Sequence, residues 1–252
     1  QRVEWAGLLH EIGFTVSHIG FHKHGAYILE NADMPGFSAQ EQRRLAVIVN
    51  RNASEAERAY REAGVDRFKG VSSPAELDQA IESGQYAVTD DPTVACRSGR
   101  IEAVIETTGD VEYGASVALD AIQHRKHVIL MNAEVDSSVG PILKVHADRH
   151  GVVYTYTDGD EPGVAMNLFR FVDSIGYQPV MMGQIKGFLN RYRNPETQRE
   201  FAEKHKQKPA MVASFADGSK LAIESTIMGN ATGFGPAVRG MHGHQCAHVK
   251  DL

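Results

Sequence analysis

Between residues 45 and 156, short apolar runs alternate with longer amphipathic stretches. The runs are rich in β-branched residues, which is typical of strands buried in a parallel sheet. They are Leu45–Val49, Glu102–Glu106, His127–Met131 and Val152–Tyr156. Apolar residues recur at helical spacing between the runs, over 54–63, 111–126 and 139–150. This order predicts an α/β fold in which helices cover the faces of a parallel sheet.

Two of the predicted helices carry end signals. Asn52 stands where an N-cap is expected, and Gly64 follows the last turn of the same helix. In the helix predicted over 139–150, Ser138 is the expected cap, Pro141 lies in the first turn and Gly151 ends the helix.

The alternation stops after residue 160. The pattern then predicts a helix over 163–174 and a strand over 180–186. A long polar loop with a short helix follows over 189–208, and another helix is expected over 220–229. This change in the order of predicted elements indicates a separate region that binds substrate next to the nucleotide domain.

The chain therefore divides into three predicted parts. Residues 1–44 are rich in His and Gly, do not continue the alternation, and have helical patterns at 3–11 and 25–31. Residues 45–160 predict an incomplete Rossmann-type dinucleotide-binding domain, and residues 161–252 an α+β substrate and catalytic region.

Composition and charge exclude several classes of protein. The net charge is -6 over 252 residues and Lys and Arg form no basic stripe, so nucleic acid is not an expected partner. No apolar run approaches the roughly 20 residues of a membrane span. Cys96 and Cys246 are too few for a disulfide framework, and the first residues lack the pattern of a signal peptide. The expectation is a cytoplasmic protein that acts on a small molecule; a homo-oligomer is left open.

Polar residues follow the predicted strands, at the edge where doubly wound sheets bind their ligands. Asn50 and Arg51 follow the first strand. An acidic residue at the corresponding position usually contacts the ribose of NAD, whereas an arginine suits the 2′-phosphate of NADP. Arg51 therefore favours NADP, with a surface arginine at a strand end as an equally weighted alternative.

The next two strands end in further candidate cofactor-binding residues. Glu106, Thr107, Thr108 and Gly109 form the exit loop of one strand, and Asn132 follows the other. Because both strands are expected to be central, Glu106 and Asn132 are predicted to lie at the cofactor edge of the sheet.

The phosphate loop of a dinucleotide fold is missing from the sequence. Such a fold needs G-x-G-x-x-G between its first strand and first helix, because backbone N–H groups must approach the pyrophosphate. No such pattern occurs in the sequence, and upstream of Leu45 only the turn signal Pro35-Gly36 is found. Tight cofactor binding by this chain alone is not expected.

Residues from about 45 to 241 resemble the homoserine-dehydrogenase-like oxidoreductases that usually carry a C-terminal SAF domain. The motifs that carry the resemblance are Asn50-Arg51, Val88-Thr89-Asp90-Asp91, Glu106-Thr107-Thr108-Gly109, Lys126-His127-Val128, Met131-Asn132-Ala133-Glu134, Gly151-Val152-Val153-Tyr154, Asp158-Gly159-Asp160-Glu161-Pro162-Gly163, Ile185-Lys186-Gly187, Ser214-Phe215-Ala216-Asp217-Gly218 and Asn230-Ala231-Thr232-Gly233. One branch of this family is the DXR-like class, which converts 1-deoxyxylulose 5-phosphate to methylerythritol 4-phosphate with NADPH and a divalent metal. The resemblance implies an NADP-dependent oxidoreductase.

Two lysines are candidates for the chemistry. Lys186 follows a predicted strand and precedes a glycine, so its ammonium group is placed to polarise a carbonyl or donate a proton. A solvated lysine is an equally weighted alternative. Lys220 is a candidate for a substrate phosphate, although a lysine on a helix face is the commoner role.

Carboxylates in two loops suit a divalent cation. Asp158 and Asp160 are spaced so that one loop aims both at Mg²⁺ or Mn²⁺, with Glu134 and Asp136 from the neighbouring loop. Asp160 and Glu134 are also candidate catalytic residues. For any single aspartate, a turn that simply ends a strand is the favoured alternative.

Residues 1 to about 42 resemble a different family, the C-terminal HD-like helical domain of the exopolyphosphatase/guanosine pentaphosphate phosphatases. The motifs are Leu8-Leu9-His10-Glu11-Ile12-Gly13, His18, Gly20, His22-Lys23-His24, Ala26-Tyr27-Ile28-Leu29 and Asn31-Ala32-Asp33-Met34-Pro35-Gly36-Phe37. An HD site binds metal through an adjacent His and Asp, but the pair here is His10-Glu11. Structural helices are therefore expected more than metal-dependent hydrolysis.

Three functions follow, in order of preference. The first is an NADP-dependent oxidoreductase that acts on a small polar, phosphorylated or unphosphorylated, carbonyl or hydroxy compound. The second is a non-catalytic fusion or truncated protein whose sheet edge, left open by the missing strand, promotes association. The third is a remnant of a metal-dependent phosphohydrolase.

Overall fold

The computed structural model describes residues 46–157, 160–184, 189–205, 207–243, 246–248 and 251. Within these ranges the chain forms two compact units. The first contains the described residues up to 135 together with 141–157, and the second contains 136–140 and the described residues from 160 onward. None of the described helices is long and apolar enough to cross a membrane.

The first unit begins with a three-stranded parallel sheet. Its strands are β1 (Val47–Val49), β2 (Phe68–Gly70) and β3 (Tyr86–Thr89), in the order β1-β3-β2. The helices that alternate with them are α1 (Ala53–Glu62), α2 (Pro74–Glu82) and α3 (Pro92–Arg97). Buried apolar side chains from these elements form one core: Val71, Leu77, Ala80, Ala87 and Val94, with Val47, Ile81 and Ile101 packed against them.

A second three-stranded parallel sheet follows in the same unit. Its strands are β4 (Ala103–Glu106), β5 (His127–Leu130) and β6 (Tyr154–Tyr156), in the order β4-β5-β6. Helix α4 (Val111–Gln123) connects β4 to β5, and α5 (Ala133–His150) connects β5 to β6. Strand β5 is the buried centre of this sheet, since three of its four residues are buried.

The second unit is helical in its described residues. It contains α6 (Glu161–Ser174), α7 (Arg199–Lys204), α8 (Pro209–Asp217) and α9 (Ser219–Thr232). Helix α9 packs against α6 and α8. The Phe169 ring of α6 meets the Phe234 ring edge-on, with centroids 5.8 Å apart, just after α9 ends.

A buried polar cluster joins the parts of the first unit. Ser98, which is fully buried, donates from Oγ to Asp78 Oδ1 at 2.5 Å. The backbone amides of Gly99 and Arg100 also donate to the Asp78 carboxylate. Lys126, just before β5, donates from Nζ to the Ser98 carbonyl oxygen at 2.6 Å. Residues of α2, the end of α3 and the start of β5 are thereby fixed to one another.

The predicted α/β fold class is confirmed, since the described strands are parallel and separated by helices in a Rossmann-like order. The four predicted strands correspond to β1, β4, β5 and β6, and the Asn52 cap and the Gly151 end are also found. The structure adds β2, α2, β3 and α3, which the apolar pattern does not predict.

Two predictions of secondary structure are wrong. Helix α5 begins at Ala133 with Asn132 as its cap, not near Val139 with Ser138, so Pro141 lies inside the helix. The side chain of Asn132 accepts from the Val135 amide and starts the helix early. The strand predicted over 180–186 is not formed in residues 180–184. These residues are irregular and largely exposed, and no described strand pairs with them.

Replacing Asp78 tests the buried polar cluster. Partial burial raises the pKa of Asp78, but hydrogen bonds from Ser98, Gly99 and Arg100 outweigh this effect and leave the pKa below its ordinary value of 3.8. The charged carboxylate therefore stabilises the fold above about pH 4, and this contribution is lost as the pH falls through the lowered pKa. We expect Asp78→Asn to lower the free energy of unfolding at neutral pH by about 1 to 2 kcal/mol, measured by urea unfolding.

The difference between Asp78→Asn and wild type should shrink as the pH falls through the lowered pKa of Asp78, because the wild-type carboxyl group then loses its charge. The matched control is Glu82→Gln, which removes only an exposed ion pair with Arg100 and should change stability by less than about 0.5 kcal/mol. An equal loss at neutral and acidic pH would contradict a role for the carboxylate charge.

Candidate functional site

The carboxyl ends of β4 and β5 bring two predicted site residues together. Glu106 pairs in register with Leu130, so it lies beside the start of the segment that contains Asn132. The Glu106 side chain is 2% exposed, and its Oε1 accepts from the Thr108 amide at 2.7 Å. Its buried Oε2 has no hydrogen-bond partner among the residues that the structure describes. A carboxylate at a sheet edge is thus desolvated and only partly satisfied, which is costly unless a further donor approaches it.

The Asn132 side chain connects the two strand-end loops. Its Oδ1 accepts from the Val135 amide and caps α5, while its Nδ2 donates to the Asp110 carbonyl oxygen at 3.3 Å. Its Nδ2 also lies 3.5 Å from Thr108 Oγ1. These contacts fix the loop after β4 against the first turn of α5. The Asn132 side chain that makes them is only 2% exposed.

Gly114 in α4 allows this arrangement and was not predicted as a site residue. A Cβ atom at this position would lie 2.9 Å from Asn132 Nδ2, 2.9 Å from Val135 Cγ2 and 3.0 Å from Glu106 Cδ. Only glycine therefore lets α4 approach both polar side chains. The signal in the sequence is a glycine inside an amphipathic helical pattern.

The other predicted cofactor residues are exposed. Thr107 and Gly109 lie in the loop after β4, and Gly109 has a left-handed φ of +72°. Asn50 and Arg51 follow β1, in the other sheet; the Asn50 amide donates to the Thr89 carbonyl oxygen at 3.0 Å. The structure thus brings Glu106, Thr108 and Asn132 into contact and leaves Asn50 and Arg51 at the carboxyl end of a different strand.

The helix starts of the first unit are already occupied by their own side chains. Each of α1 to α5 has a side chain that accepts from a first-turn amide: Asn52, Ser73, Asp91, Asp110 and Asn132. A shallow hollow of about 360 Å³ beside the start of α4 is lined by Asp110, Glu112, Tyr113 and Ser116. Its two carboxylates disfavour a phosphate group. At each of these starts a pyrophosphate would have to compete with the cap side chain for one first-turn amide.

Two of the predicted loop carboxylates lie in a helix. Glu134 and Asp136 do not lie in a loop, because Asn132 starts α5 immediately before them and places both in its first turns. Asp158 and Lys186 lie outside the described residues.

Asp160 belongs to an acidic cluster in the second unit. One oxygen each from Asp160, Glu161 and Glu224 lies within 4.8 Å of the others, and Glu224 is 1% exposed. Lys220, one turn before Glu224 on α9, places its Nζ 4.0 Å from Glu224 Oε1 and partly balances the charge. Glu161 and Glu224 were not predicted; the spacing of Lys220 and Glu224 by four residues on a helix was the available signal.

Cys96 is not a nucleophile. Its side chain is 1% exposed, and burial, followed by the charge of Asp120, raises the pKa of the thiol to about 12. The thiol is therefore buried and protonated at neutral pH.

A parallel α/β sheet with a polar cluster at its carboxyl edge defines the class as Rossmann-like. Residues 159–252 match the family described as oxidoreductase DRL, catalytic domain. Residues 1–72 match the family described as Ppx/GppA phosphatase, domain III. Two parts of the chain are therefore similar to two different families, as predicted, and the part from residue 159 onward is similar to an oxidoreductase catalytic domain.

Individual relatives match over short stretches. A homoserine dehydrogenase of Synechocystis sp. is 31% identical over 88 residues, which cover 35% of this chain and 18% of that protein. A guanosine-5'-triphosphate,3'-diphosphate pyrophosphatase of Pseudoalteromonas translucida is 40% identical over 52 residues, 21% of this chain and 10% of that protein. A protein of the same name from Aeromonas hydrophila is 38% identical over 47 residues, covering 19% and 10%. The chain thus spans less than a fifth of the length of these curated relatives.

The phosphatase-domain match has one consequence for the domain boundary. It extends to residue 72 and so includes β1, α1 and β2, which pair and pack within the first sheet. The boundary near residue 45 stays a prediction. His10 and Glu11 lie outside the described residues.

Replacing Gly114 tests the close approach of α4. We expect Gly114→Ala to lower the free energy of unfolding by about 1 to 3 kcal/mol, the usual cost of overpacking, because the new methyl group would meet Asn132 and Val135. Thermal or urea unfolding measures the change.

The matched control is Gly70→Ala in β2, where a Cβ would meet nothing within 4 Å and no loss is expected. A Gly114→Ala variant as stable as wild type would show that α4 moves away from Asn132 without cost.

Proposed function

We propose that this protein is an NADP-dependent oxidoreductase acting on a small polar carbonyl or hydroxy compound, phosphorylated or unphosphorylated. The observation that carries the proposal is that buried Glu106 and Asn132 both contact Thr108 at the carboxyl ends of two neighbouring parallel strands. Doubly wound sheets bind nucleotides at this edge. The oxidoreductase family match and the distant dehydrogenase relative support a nicotinamide cofactor.

The cofactor residues divide into two groups in this proposal. Arg51, exposed after β1, would bind the 2′-phosphate of the ribose, with Asn50 beside it. The loop Thr107–Gly109 and Asn132 would face the nicotinamide end. Glu106 acts through that loop, because its carboxylate accepts from the Thr108 amide and holds the loop in place.

The reaction needs a hydride acceptor or donor and a group that handles a proton. The cofactor supplies the hydride at C4 of its nicotinamide ring when it is bound. In our proposal Lys186 donates a proton to the substrate oxygen during reduction, or accepts it during oxidation. Lys220 would bind a substrate phosphate, and Asp160 and Glu134 are the proposed acidic partners in catalysis.

A divalent ion, Mg²⁺ or Mn²⁺, is the further part of this proposal. Asp160, together with Asp158, is the proposed ligand, and Glu161 and Glu224 lie within reach of the same ion. The Lys220 ammonium already lies 4.0 Å from Glu224, so it competes with a cation for that carboxylate. We therefore expect the ion to bind weakly without substrate.

Two properties complete the proposal. Since the glycine-rich loop is missing from the sequence and each first-unit helix start is capped, we propose that this chain on its own binds NADP only weakly. A cytoplasmic location is also proposed, and it agrees with the two free cysteines, Cys96 and Cys246.

The preference for NADP depends on Arg51. We expect Arg51→Ala to raise the Kd for NADPH roughly tenfold, because one charge-assisted contact to the 2′-phosphate is lost, and to leave the Kd for NADH unchanged. Saturation-transfer NMR titrations of both cofactors at millimolar concentration measure the effect. Arg149→Ala is the matched control, since Arg149 lies in the last turn of α5, away from the carboxyl edge. Equal weakening of both cofactors would argue against the assigned contact.

The ion site depends on the acidic cluster. We expect Mn²⁺, followed by its electron paramagnetic resonance signal, to bind at least roughly tenfold more weakly to Asp160→Asn and Glu224→Gln than to wild type. Glu196→Gln, which removes an exposed carboxylate on the same part of the chain, is the control and should have no effect. Unchanged Mn²⁺ binding in both cluster variants would exclude the site.

A further inference from the structure

Helix α6 of the second unit is apolar on two faces. On its inner face it packs against α9, and the Phe169 ring meets the Phe234 ring just after α9. A surface helix usually has one apolar face, which is turned to the core. The outer face of α6 nevertheless carries four large apolar side chains that are 51% to 62% exposed: Val164, Leu168, Phe171 and Ile175. This second apolar face is a candidate interaction surface.

These four residues, which we call the α6 seam, follow a heptad spacing. Successive members lie four, three and four positions apart, and the last of them, Ile175, is the C-cap of the helix. An apolar repeat of about 3.5 residues is the pattern by which two helices pack side by side. Asn167 and Ser174, which are exposed along one flank of the seam, are uncharged. Charged residues are likewise depleted at the core of protein interfaces.

The neighbouring helix α9 has a different outer face. It contains 14 residues, as α6 does. Its exposed positions carry only small or polar residues: Ser219, Ala222, Thr226, Asn230 and Ala231. In this pair of packed helices, large exposed apolar side chains therefore belong to α6.

The apolar surface continues beyond the end of α6. Gly176, with a left-handed φ of +89°, follows the helix, and the Tyr177 amide donates to the Val172 carbonyl oxygen in the last turn. This bond holds the start of the next segment against the helix end. In that segment Tyr177, Val180 and Met181 are 69% to 87% exposed.

The area of this surface is that of a protein interface. Taking about 150 Å² for each large side chain, the exposed parts of the seam and of the three residues after it come to roughly 700 Å². The largest apolar patch on a typical monomer measures about 300 to 600 Å². A stable interface buries about 800 Å² on each partner, of which about 60% is apolar. The surface is therefore large enough for a stable dimer.

The charges near the seam disfavour a lipid membrane as the occupant. Helices that lie in a membrane interface carry many Lys and Arg residues on their polar face. Residues 161–185 contain a single basic residue, Arg170, and the net charge of the chain is -6. Anionic lipids would repel such a chain. A protein surface that is itself apolar and uncharged is a better match.

The α6 seam of a second copy is such a surface. In a two-fold dimer the same patch of both copies forms the interface. The spacing of four, three and four positions reads the same in both directions, so an antiparallel copy places a seam residue opposite each seam residue. Leu168 then faces the partner's Phe171 at the centre, and Val164 faces the partner's Ile175 at each end.

The acidic cluster favours the antiparallel orientation. Asp160 and Glu161 lie at the start of α6 beside Glu224, whereas residues 174–185 contain no charged residue. A parallel pair would bring two acidic clusters together. An antiparallel pair separates them by about 20 Å, the length of a helix of this size, and places each beside an uncharged helix end. It also sets the positive end of each helix dipole beside the negative end of the other.

We propose that α6 is a dimerisation helix, through which two copies of this chain pair antiparallel, with Leu168 of each copy packed against the partner's Phe171. The proposal rests on the exposed seam, its symmetric spacing and the charges at its ends. It does not depend on the proposed oxidoreductase activity.

Sedimentation equilibrium of the full chain tests the dimer. We expect a monomer–dimer equilibrium in wild type. Leu168→Glu should raise the dimer Kd at least roughly hundredfold, because it buries two charges in an apolar interface. Ile142→Glu is the matched control, since Ile142 is 52% exposed on helix α5 and lies in the first unit. It should leave the Kd unchanged. Circular dichroism checks that each variant is folded.

A pair of complementary variants tests the orientation. Leu168→Glu and Phe171→Lys should each dimerise weakly alone. In the antiparallel register a mixture of the two restores one Leu–Phe contact and pairs the new glutamate with the new lysine. We expect the mixed dimer, measured by native mass spectrometry, to form at least roughly tenfold more strongly than either variant alone. In a parallel pair the two new charges do not meet, so absence of this rescue would overturn the antiparallel dimer.

Three further results would overturn the proposal. The first is a wild-type chain that stays monomeric at millimolar concentration. The second is a dimer that Leu168→Glu and Phe171→Lys both leave intact. The third is a monomer that binds vesicles of phosphatidylcholine and phosphatidylserine and loses this binding in Leu168→Glu, which would make the seam a membrane contact.

Discussion

The carboxyl edge of the second sheet depends on one close approach, that of helix α4 to the buried side chains of Glu106 and Asn132. Gly114 permits it, since any Cβ there would lie about 3 Å from both side chains. With α4 in this position, Asn132 reaches the loop after β4 with its amide group and caps α5 with its oxygen. The order of the edge therefore comes from buried polar contacts, which are favourable only when their partners are held in place.

Much of the fold could be predicted because strands buried in a parallel sheet need apolar, β-branched residues. Strands β1, β4, β5 and β6 meet this requirement in the sequence itself. Strand β2 does not: Phe68-Lys69-Gly70 has no run or alternation, and it is a strand because its backbone pairs with β3. The start of α5 is likewise set by tertiary contacts and not by the local sequence. Ser138 and Pro141 resemble a helix start, but the Asn132 side chain is held by its tertiary contacts and begins the helix earlier.

Only the site residues that stand at strand ends could be predicted from the sequence. Glu106 ends β4 and Asn132 follows β5, and in a parallel sheet these strand-end positions alone place both residues at one edge, although β4 is not the central strand of its described sheet. Gly114 required knowledge of which helix packs against that edge. Glu161 and Glu224 come from α6 and α9, and only helix packing brings these two carboxylates together. Side chains that meet through packing leave no local pattern in the sequence, whereas side chains that follow strands do.

The contacts that order the carboxyl edge also decide how the nearby helix starts can be used. Each of α1 to α5 has one first-turn amide engaged by its own cap side chain, so a phosphate bound there would compete with the cap. Asp110 and Glu112 at the start of α4 add negative charge that disfavours a phosphate at that helix. At α5 the cap is Asn132, whose amide group also holds the loop after β4, so a ligand that displaced this cap would release that loop as well.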